Sequence, residues 1–335
     1  MSNKPNLFEI ATSELSQDSF ITWLIKWADE KNNNDIDLHE TAKRFILSLL
    51  DRAQISKKPT IKRVEAGRQW ANIDIWVDIN ETFFIVIEDK KDSCEHGDQL
   101  NKYKQIVEKH YKNKREIILI YLKTGNESLS SIAKIQEKGW FCYNRGDLLK
   151  VLKASMAKNN ILSEYTEYLD RIEKDTNSFT IYSQLKTWKA SEGLYLWLQK
   201  NIDDWSDWNY VANANGGFLG FWYYFRSCKN NSKRELYLQI ENYVGIKINL
   251  YIRICGDWNR TTNYLYKVFG LIKEESIGNN VEIEKPIRFK PGEYSSIAVI
   301  KNAFKINQNG ELDLDNLLET MKKAQRIIDK VVEKI

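Results

Sequence analysis

The sequence predicts an α/β protein in two parts, a mixed sheet flanked by helices in the N-terminal half and a second, α+β region after it. Three observations carry this. Helix-period and strand-like apolar runs alternate as far as about residue 145, the chain turns polar around residues 174–178, and several strand-like runs then precede a long terminal helix. At 335 residues the chain also exceeds what one hydrophobic core ordinarily serves. We therefore expect domains at residues 1–175 and 180–335.

Over residues 16–29, Phe20, Ile21, Trp23, Leu24, Trp27 and Ala28 recur at helical spacing, with Ser16 or Asp18 as the cap. Residues 38–51 repeat the pattern through Ala42, Phe45, Ile46, Leu49 and Leu50, and residues 57–60 break it with a proline. Residues 71–79 are rich in Ile, Val and Trp, and residues 83–88 form a continuous apolar run ending in charge, as in a hairpin whose second strand is central; residues 80–82 are its turn. Residues 99–111 read as a helix, 116–122 as a buried strand and 139–143 as a short strand, and Asp147 caps a helix beginning at Leu148. In the second part, 185–200 reads as a helix, and 218–225, 235–241 and 247–253 as strands. The sequence shows no internal repeat.

Composition narrows the function classes. The opening residues lack the apolar core of a signal peptide, and no run approaches the ~20 apolar residues of a membrane span, so a cytoplasmic protein with no membrane partner is expected. Cys94, Cys142, Cys228 and Cys255 form no C-x-x-C pair, which argues against a zinc ribbon or a disulfide framework. Fifty basic residues nearly balance 46 acidic ones, so a formal charge of +4 does not by itself imply nucleic acid. Their distribution is more informative: Lys57, Lys58, Lys62 and Arg63, and then Lys102, Lys104, Lys109, Lys112, Lys114 and Arg115, flank one short segment. No phosphate-binding glycine loop or dinucleotide fingerprint is present, so any ATPase would be a separate partner protein.

That segment holds the candidate chemistry. On the second hairpin strand Glu88 and Lys90 share a face, about 6.8 Å apart along the strand, while Asp89 points the other way. Asp74 interrupts the apolar run before it, where an unpaired buried carboxylate costs several kcal/mol. With a three-residue loop, Ile79 pairs with Phe83 and Asp74 falls across from Glu88, about 4.5–5.5 Å away between Cβ atoms. A two-residue loop would put the acids on opposite faces. Two convergent carboxylates with few histidines nearby favour Mg²⁺, or Mn²⁺, over zinc, and the bland alternative is an ion-pair cluster at a sheet end. Such a metal with Lys90 beside it suits phosphodiester hydrolysis, Lys90 orienting or deprotonating the water and stabilising developing charge. On the next helix Gln99 and Tyr103 lie one turn apart, placed to reach a phosphate or a water, or else forming an ordinary exposed pair.

An acid in one strand, Glu88-Asp-Lys90 ending the next, and Gln99-x-x-x-Tyr103 on the following helix resemble the PD-(D/E)XK nuclease superfamily, particularly its RecB-like branch. The literal Pro-Asp is absent, since Asn72-Ile-Asp74 stands there. The segment from Ala11 through Glu14 and Asp18 to Phe20, with the helix after it, is similar to the N-terminus of a bacterial group in that superfamily. The resemblance covers about residues 8–145. It implies a restriction-endonuclease-like fold, a metal-dependent nuclease acting on DNA, support of the metal site by Glu14 with Asp18 behind it, and a place in restriction or phage defence. The competing function is a nuclease-fold module that binds nucleic acid or protein without cutting.

Weaker signals remain. Cys94-Glu-His96 is a poor zinc site without a second ligand pair. The aromatics from Trp205 to Phe225 serve either base stacking or sheet packing. Leu314, Leu317, Met321, Ala324, Ile328, Val331 and Ile335 form a stripe that either pairs a homodimer or covers the chain's own sheet. Asn215-Gly-Gly217 reads as a turn.

Overall fold

A computed structural model describes residues 5–95, 97–112, 114–213, 216–257 and 259–335. Met1, His96 and Asn215 among the residues discussed above lie outside them. The chain forms two compact units, residues 1–127 with 131–174, and residues 128–130 with 175–335.

The first unit opens with α1 (Leu7–Ile10), α2 (Glu14–Lys26) and α3 (Ile36–Arg52). Ser13, not Ser16 or Asp18, occupies the N-cap position of α2, so Glu14 falls in the first turn and Asp18 is carried inward to 2% exposure. Three antiparallel strands follow: β1 (Val64–Trp70), β2 (Ile73–Ile79) and β3 (Phe83–Lys90). The expected strand start at Ala71 is corrected, because Ala71 and Asn72 both adopt left-handed backbone and form the two-residue turn between β1 and β2. After α4 (Gln99–Tyr111), strand β4 (Glu116–Lys123) joins β3 in parallel. Beyond α5 (Leu129–Glu137), β5 (Phe141–Asn144) joins β4 in parallel, completing the mixed order β1-β2-β3-β4-β5.

The unit ends in α6 (Arg145–Lys153) and α7 (Asn160–Asn177). Asn144 caps α6 and Asp147 is the third residue of its capping box, so the helix begins three residues earlier than the sequence suggested. The polar residues 174–178 are largely the last turn of α7.

Every residue of β3 is buried, which requires cover on both faces. On one face Ile85 and Ile87 pack with Ile21 and Leu24 of α2, Phe45 and Leu49 of α3, and Tyr165 and Leu169 of α7. On the other, Phe84 and Val86 pack with Leu100, Tyr103 and Val107 of α4. A mixed sheet between two helical layers is the α/β arrangement that the sequence predicted.

The second unit holds α8 (Trp188–Asn201), β6 (Ser206–Val211), β7 (Phe218–Cys228), β8 (Asn231–Tyr243), β9 (Lys247–Gly256), α9 (Thr262–Gly278), β10 (Ile283–Glu284), β11 (Ser295–Ile300) and α10 (Leu314–Val332). Its sheet is antiparallel, in the order β10-β11-β9-β8-β7-β6. Leu317, Met321, Ala324, Ile328 and Val331 of α10 are buried in the unit's own core, so the terminal stripe covers this sheet. Phe221 and Tyr223 enter the same core, whereas Trp205 is 55% exposed. No helix among the described residues is long and apolar enough to cross a membrane.

Candidate active site

The geometry starts from one turn. Asn80 and Glu81 are both left-handed, the amide of Thr82 donates to the Ile79 carbonyl, and Ile79 pairs with Phe83, which makes a three-residue loop. The register runs back to Ile75 opposite Ile87, so Asp74 stands at the level of Glu88, and Asp74 Oδ2 accepts the Asp89 amide at 3.1 Å. Asp74, Glu88 and Lys90 therefore share the α4 face of the sheet.

Lys90 gathers the acids. Its Nζ lies 2.6 Å from Glu88 Oε1, 3.7 Å from Asp74 Oδ2 and 3.9 Å from Glu14 Oε2. Burial opposes the charge on Lys90, but these carboxylates outweigh it and hold the ammonium above its ordinary range. Glu88 is fully buried; its Oε1 is ion-paired with the Lys90 ammonium, and its Oε2 has no hydrogen-bond partner. Burial, reinforced by the Asp74 charge and opposed by Lys90, pushes the Glu88 carboxyl up to about 8.

Glu14 approaches from the start of α2. Its Oε1 accepts from the Lys91 amide at 3.1 Å and from Ser93 Oγ at 2.5 Å, which ties the helix to the end of β3. Burial works against ionisation of Glu14, yet these bonds and the charges of Lys90 and Lys123 hold its carboxyl below the usual range.

Gln99 and Tyr103 meet each other rather than the acids: Gln99 Nε2 donates to Tyr103 Oη at 2.7 Å, and Tyr103 Oη donates to the Asn72 carbonyl at 2.5 Å. The pair ties α4 to the β1–β2 turn, two residues before Asp74. Tyr103 is 6% exposed, and burial raises its hydroxyl pKa, partly offset by Gln99.

Two features were not foreseen. Lys123 ends β4 beside Lys90, is 3% exposed, donates to the Ser93 carbonyl and lies 3.5 Å from Glu127 Oε2, which also accepts from Tyr121 at 2.8 Å. A lysine closing each of two adjacent parallel strands was the available signal. On the opposite face Asp89 is 1% exposed, accepts from Gln17 Nε2 at 2.7 Å and touches the equally buried Asp18. Gln17 Oε1 in turn accepts from Thr124 and Tyr165. Burial, with the Asp18 charge next, pushes Asp89 far above the carboxylate range, and burial raises Asp18 to about 6. Each of these two buried carboxyls disfavours ionisation of the other. Cys94 is half-buried, and Glu95 beside it pairs with Lys138 at 2.8 Å.

The donor set can be tested against a metal. A fully buried carboxylate with one oxygen unpartnered and the other paired with Lys90, facing a second acid, suits a hard divalent cation that accepts oxygen ligands only. Among the described residues no group of three or more acid, histidine or cysteine side chains is arranged to hold an ion. Asp74 and Glu88 would thus leave most of the coordination sphere to water and substrate, as magnesium commonly does.

A family profile described as the PD-(D/E)XK nuclease superfamily matches residues 5–190. No curated protein and no solved structure matches the chain.

Proposed function

Since this chain belongs to the PD-(D/E)XK nuclease superfamily, we propose that it is a metal-dependent nuclease that hydrolyses phosphodiester bonds in DNA, with Asp74 and Glu88 holding Mg²⁺ or Mn²⁺. The observation that carries this reading is Glu88, a fully buried carboxylate that faces Asp74, with Lys90 on one oxygen and no hydrogen-bond partner on the other. A bound ion there would supply Lewis-acid polarisation and a water of lowered pKa.

The chain's own groups divide the remaining work. Lys90 stays charged at neutral pH, because its acids hold its pKa up, so it stabilises negative charge at phosphorus and does not serve as the base. Glu14 fixes the backbone at Lys91 and helps keep Lys90 in place. Gln99 and Tyr103 position the strand that bears Asp74. Exposed Lys102, Lys109, Lys112 and Lys114, on or just after α4, form no ion pair among the described residues and offer phosphate contacts on that side of the sheet.

The binding-only reading draws on one feature, the 2.6 Å approach of Lys90 Nζ to Glu88, which already offsets the acid's charge. Linear and circular, single- and double-stranded DNA and RNA, incubated with Mg²⁺, Mn²⁺ or EDTA, separate the two. We expect cleavage of DNA by the wild type that EDTA and Lys90→Ala abolish. Absence of cleavage of every substrate with either ion would select binding without cutting.

A further inference from the structure

The second unit carries a cavity that phosphodiester cleavage does not use. Strands β8 and β9 turn Leu236, Leu238, Ile240, Leu250, Ile252 and Ile254 into the apolar core, so the residues between them face the other side of the sheet. That side is polar yet enclosed: Tyr237, Gln239 and Glu241 are 2%, 5% and 6% exposed. A cavity of about 630 Å³ opens over it, inside the ~300–1,000 Å³ span of small-ligand sites.

Its floor is a hydrogen-bonded network centred on Glu241. Oε1 accepts from Arg253 Nη1 at 2.7 Å and from Gln239 Nε2 at 3.1 Å, and Oε2 accepts from Tyr243 Oη at 3.3 Å. Arg253 Nε is buried without a partner. Well-packed apolar residues would stabilise such a face at least as well as an ion pair, so a polar floor under an open cavity points to recognition.

Three kinds of surface meet there. The rings of Tyr243 and Tyr251 line the cavity, and Phe218 lies 5.2 Å from Tyr243. Glu241 and Arg253 bring an acceptor and a donor edge. At the rim Lys247, whose Nζ lies 5.4 Å over the Tyr243 ring, and Arg288 are exposed and form no salt bridge among the described residues. Flat aromatic faces, a mixed hydrogen-bonding edge and exposed cations together match a nucleotide, whose base stacks, whose base edge both donates and accepts, and whose phosphate is anionic.

We propose that this cavity binds a single nucleotide, its base against Tyr243 and Tyr251 with its edge toward Glu241 and Arg253, and its phosphate at Lys247 and Arg288. The nucleotide is either free or one unit of a strand. In the second case the site selects substrate for the nuclease centre and rests on the function proposed above.

The test is titration calorimetry of the full-length protein in EDTA, where no cleavage occurs. The probes are the four deoxynucleoside 5′-monophosphates, the matching nucleosides, inorganic phosphate and single-stranded pentanucleotides. We expect saturable binding of at least one nucleotide, weaker binding of its nucleoside, and a loss of about tenfold in Lys247→Glu/Arg288→Glu. Tighter binding of the pentanucleotide assigns the site to a strand, and tighter binding of the monophosphate assigns it to a free ligand. Arg253→Met should lose more, but it leaves Glu241 without its cation; if that variant fails to fold, the two exposed rim positions carry the test. No saturable nucleotide binding, phosphate binding as tightly as any nucleotide, or wild-type affinity in the rim variant would overturn the proposal. Nucleotide binding without cleavage of any substrate refutes the nuclease reading alone, and cleavage without nucleotide binding refutes the cavity alone.

Discussion

Raising the pH from about 6 to about 8 should tighten magnesium binding and, at the same time, loosen the metal-free fold. Burial pushes Glu88 up to about 8 from an ordinary value of 4.5. A metal needs the ionised carboxylate, so below about pH 8 each ion that binds displaces a proton, and apparent affinity changes by up to about tenfold per pH unit, ~100-fold over this range. The fold responds with the opposite sign. A carboxyl whose pKa is raised by folding binds its proton more tightly in the native state, so its contribution is fully present below about pH 4.5 and is lost as pH rises toward about 8. That gap, which already includes the opposing effect of the Lys90 ammonium, sets an upper bound of about 5 kcal/mol. Calorimetric titration of Mg²⁺ in buffers of different ionisation enthalpy counts the released proton, and thermal melts with and without metal follow the stability. A metal affinity flat from about pH 6 to about pH 8, with no proton released, would refute proton displacement from Glu88 by the metal.

Three further outcomes follow from the same geometry. Deleting Thr82 shortens the β2–β3 loop by one residue and turns either β2 or β3 over, so metal-dependent stabilisation should vanish and the fold should lose several kcal/mol, read by denaturant melts with and without Mg²⁺. Asp89→Asn replaces a carboxyl whose charged form burial disfavours, so its stability relative to the wild type should grow with pH, because only the wild type loses stability as pH climbs from 3.8 toward its raised folded value, whereas Asp89→Ala should cost about 1–3 kcal/mol by orphaning Gln17 Nε2. Replacing Lys102, Lys109 and Lys112 by glutamine should weaken DNA binding and flatten its dependence on salt, by up to about one unit of log–log slope per lysine that contacts phosphate, as measured by fluorescence anisotropy in Ca²⁺ or EDTA.

The hairpin was legible in the sequence because a period of two and a loop length determine which side chains share a face. Asp74, Glu88 and Lys90 could be placed together from residues 73–90 alone. What surrounds them could not, since those contacts join distant segments: Glu14 to Ser93, Gln17 to Asp89, and Lys123 alongside Lys90. β1 escaped notice because it is an edge strand with a largely exposed, polar second half, and its Gly67 lies so close under Trp76 that a Cβ there would come within 2.6 Å of the ring. The helical spacing of Leu162, Tyr165 and Leu169 was present but stood next to the polar stretch at residues 174–178, where the sequence suggests a domain boundary. Gln99 and Tyr103 do share a face, as their spacing required, but their mutual hydrogen bond and the bond to Asn72 depend on where α4 docks.

Anomalous diffraction at the manganese edge, from crystals grown with Mn²⁺, tests the central geometry most directly. A peak about 2 Å from one oxygen each of Asp74 and Glu88, with Lys90 Nζ displaced but still adjacent, is the predicted result. Crystals saturated with Mn²⁺ that keep Lys90 against Glu88 and show no peak between the two acids would contradict it.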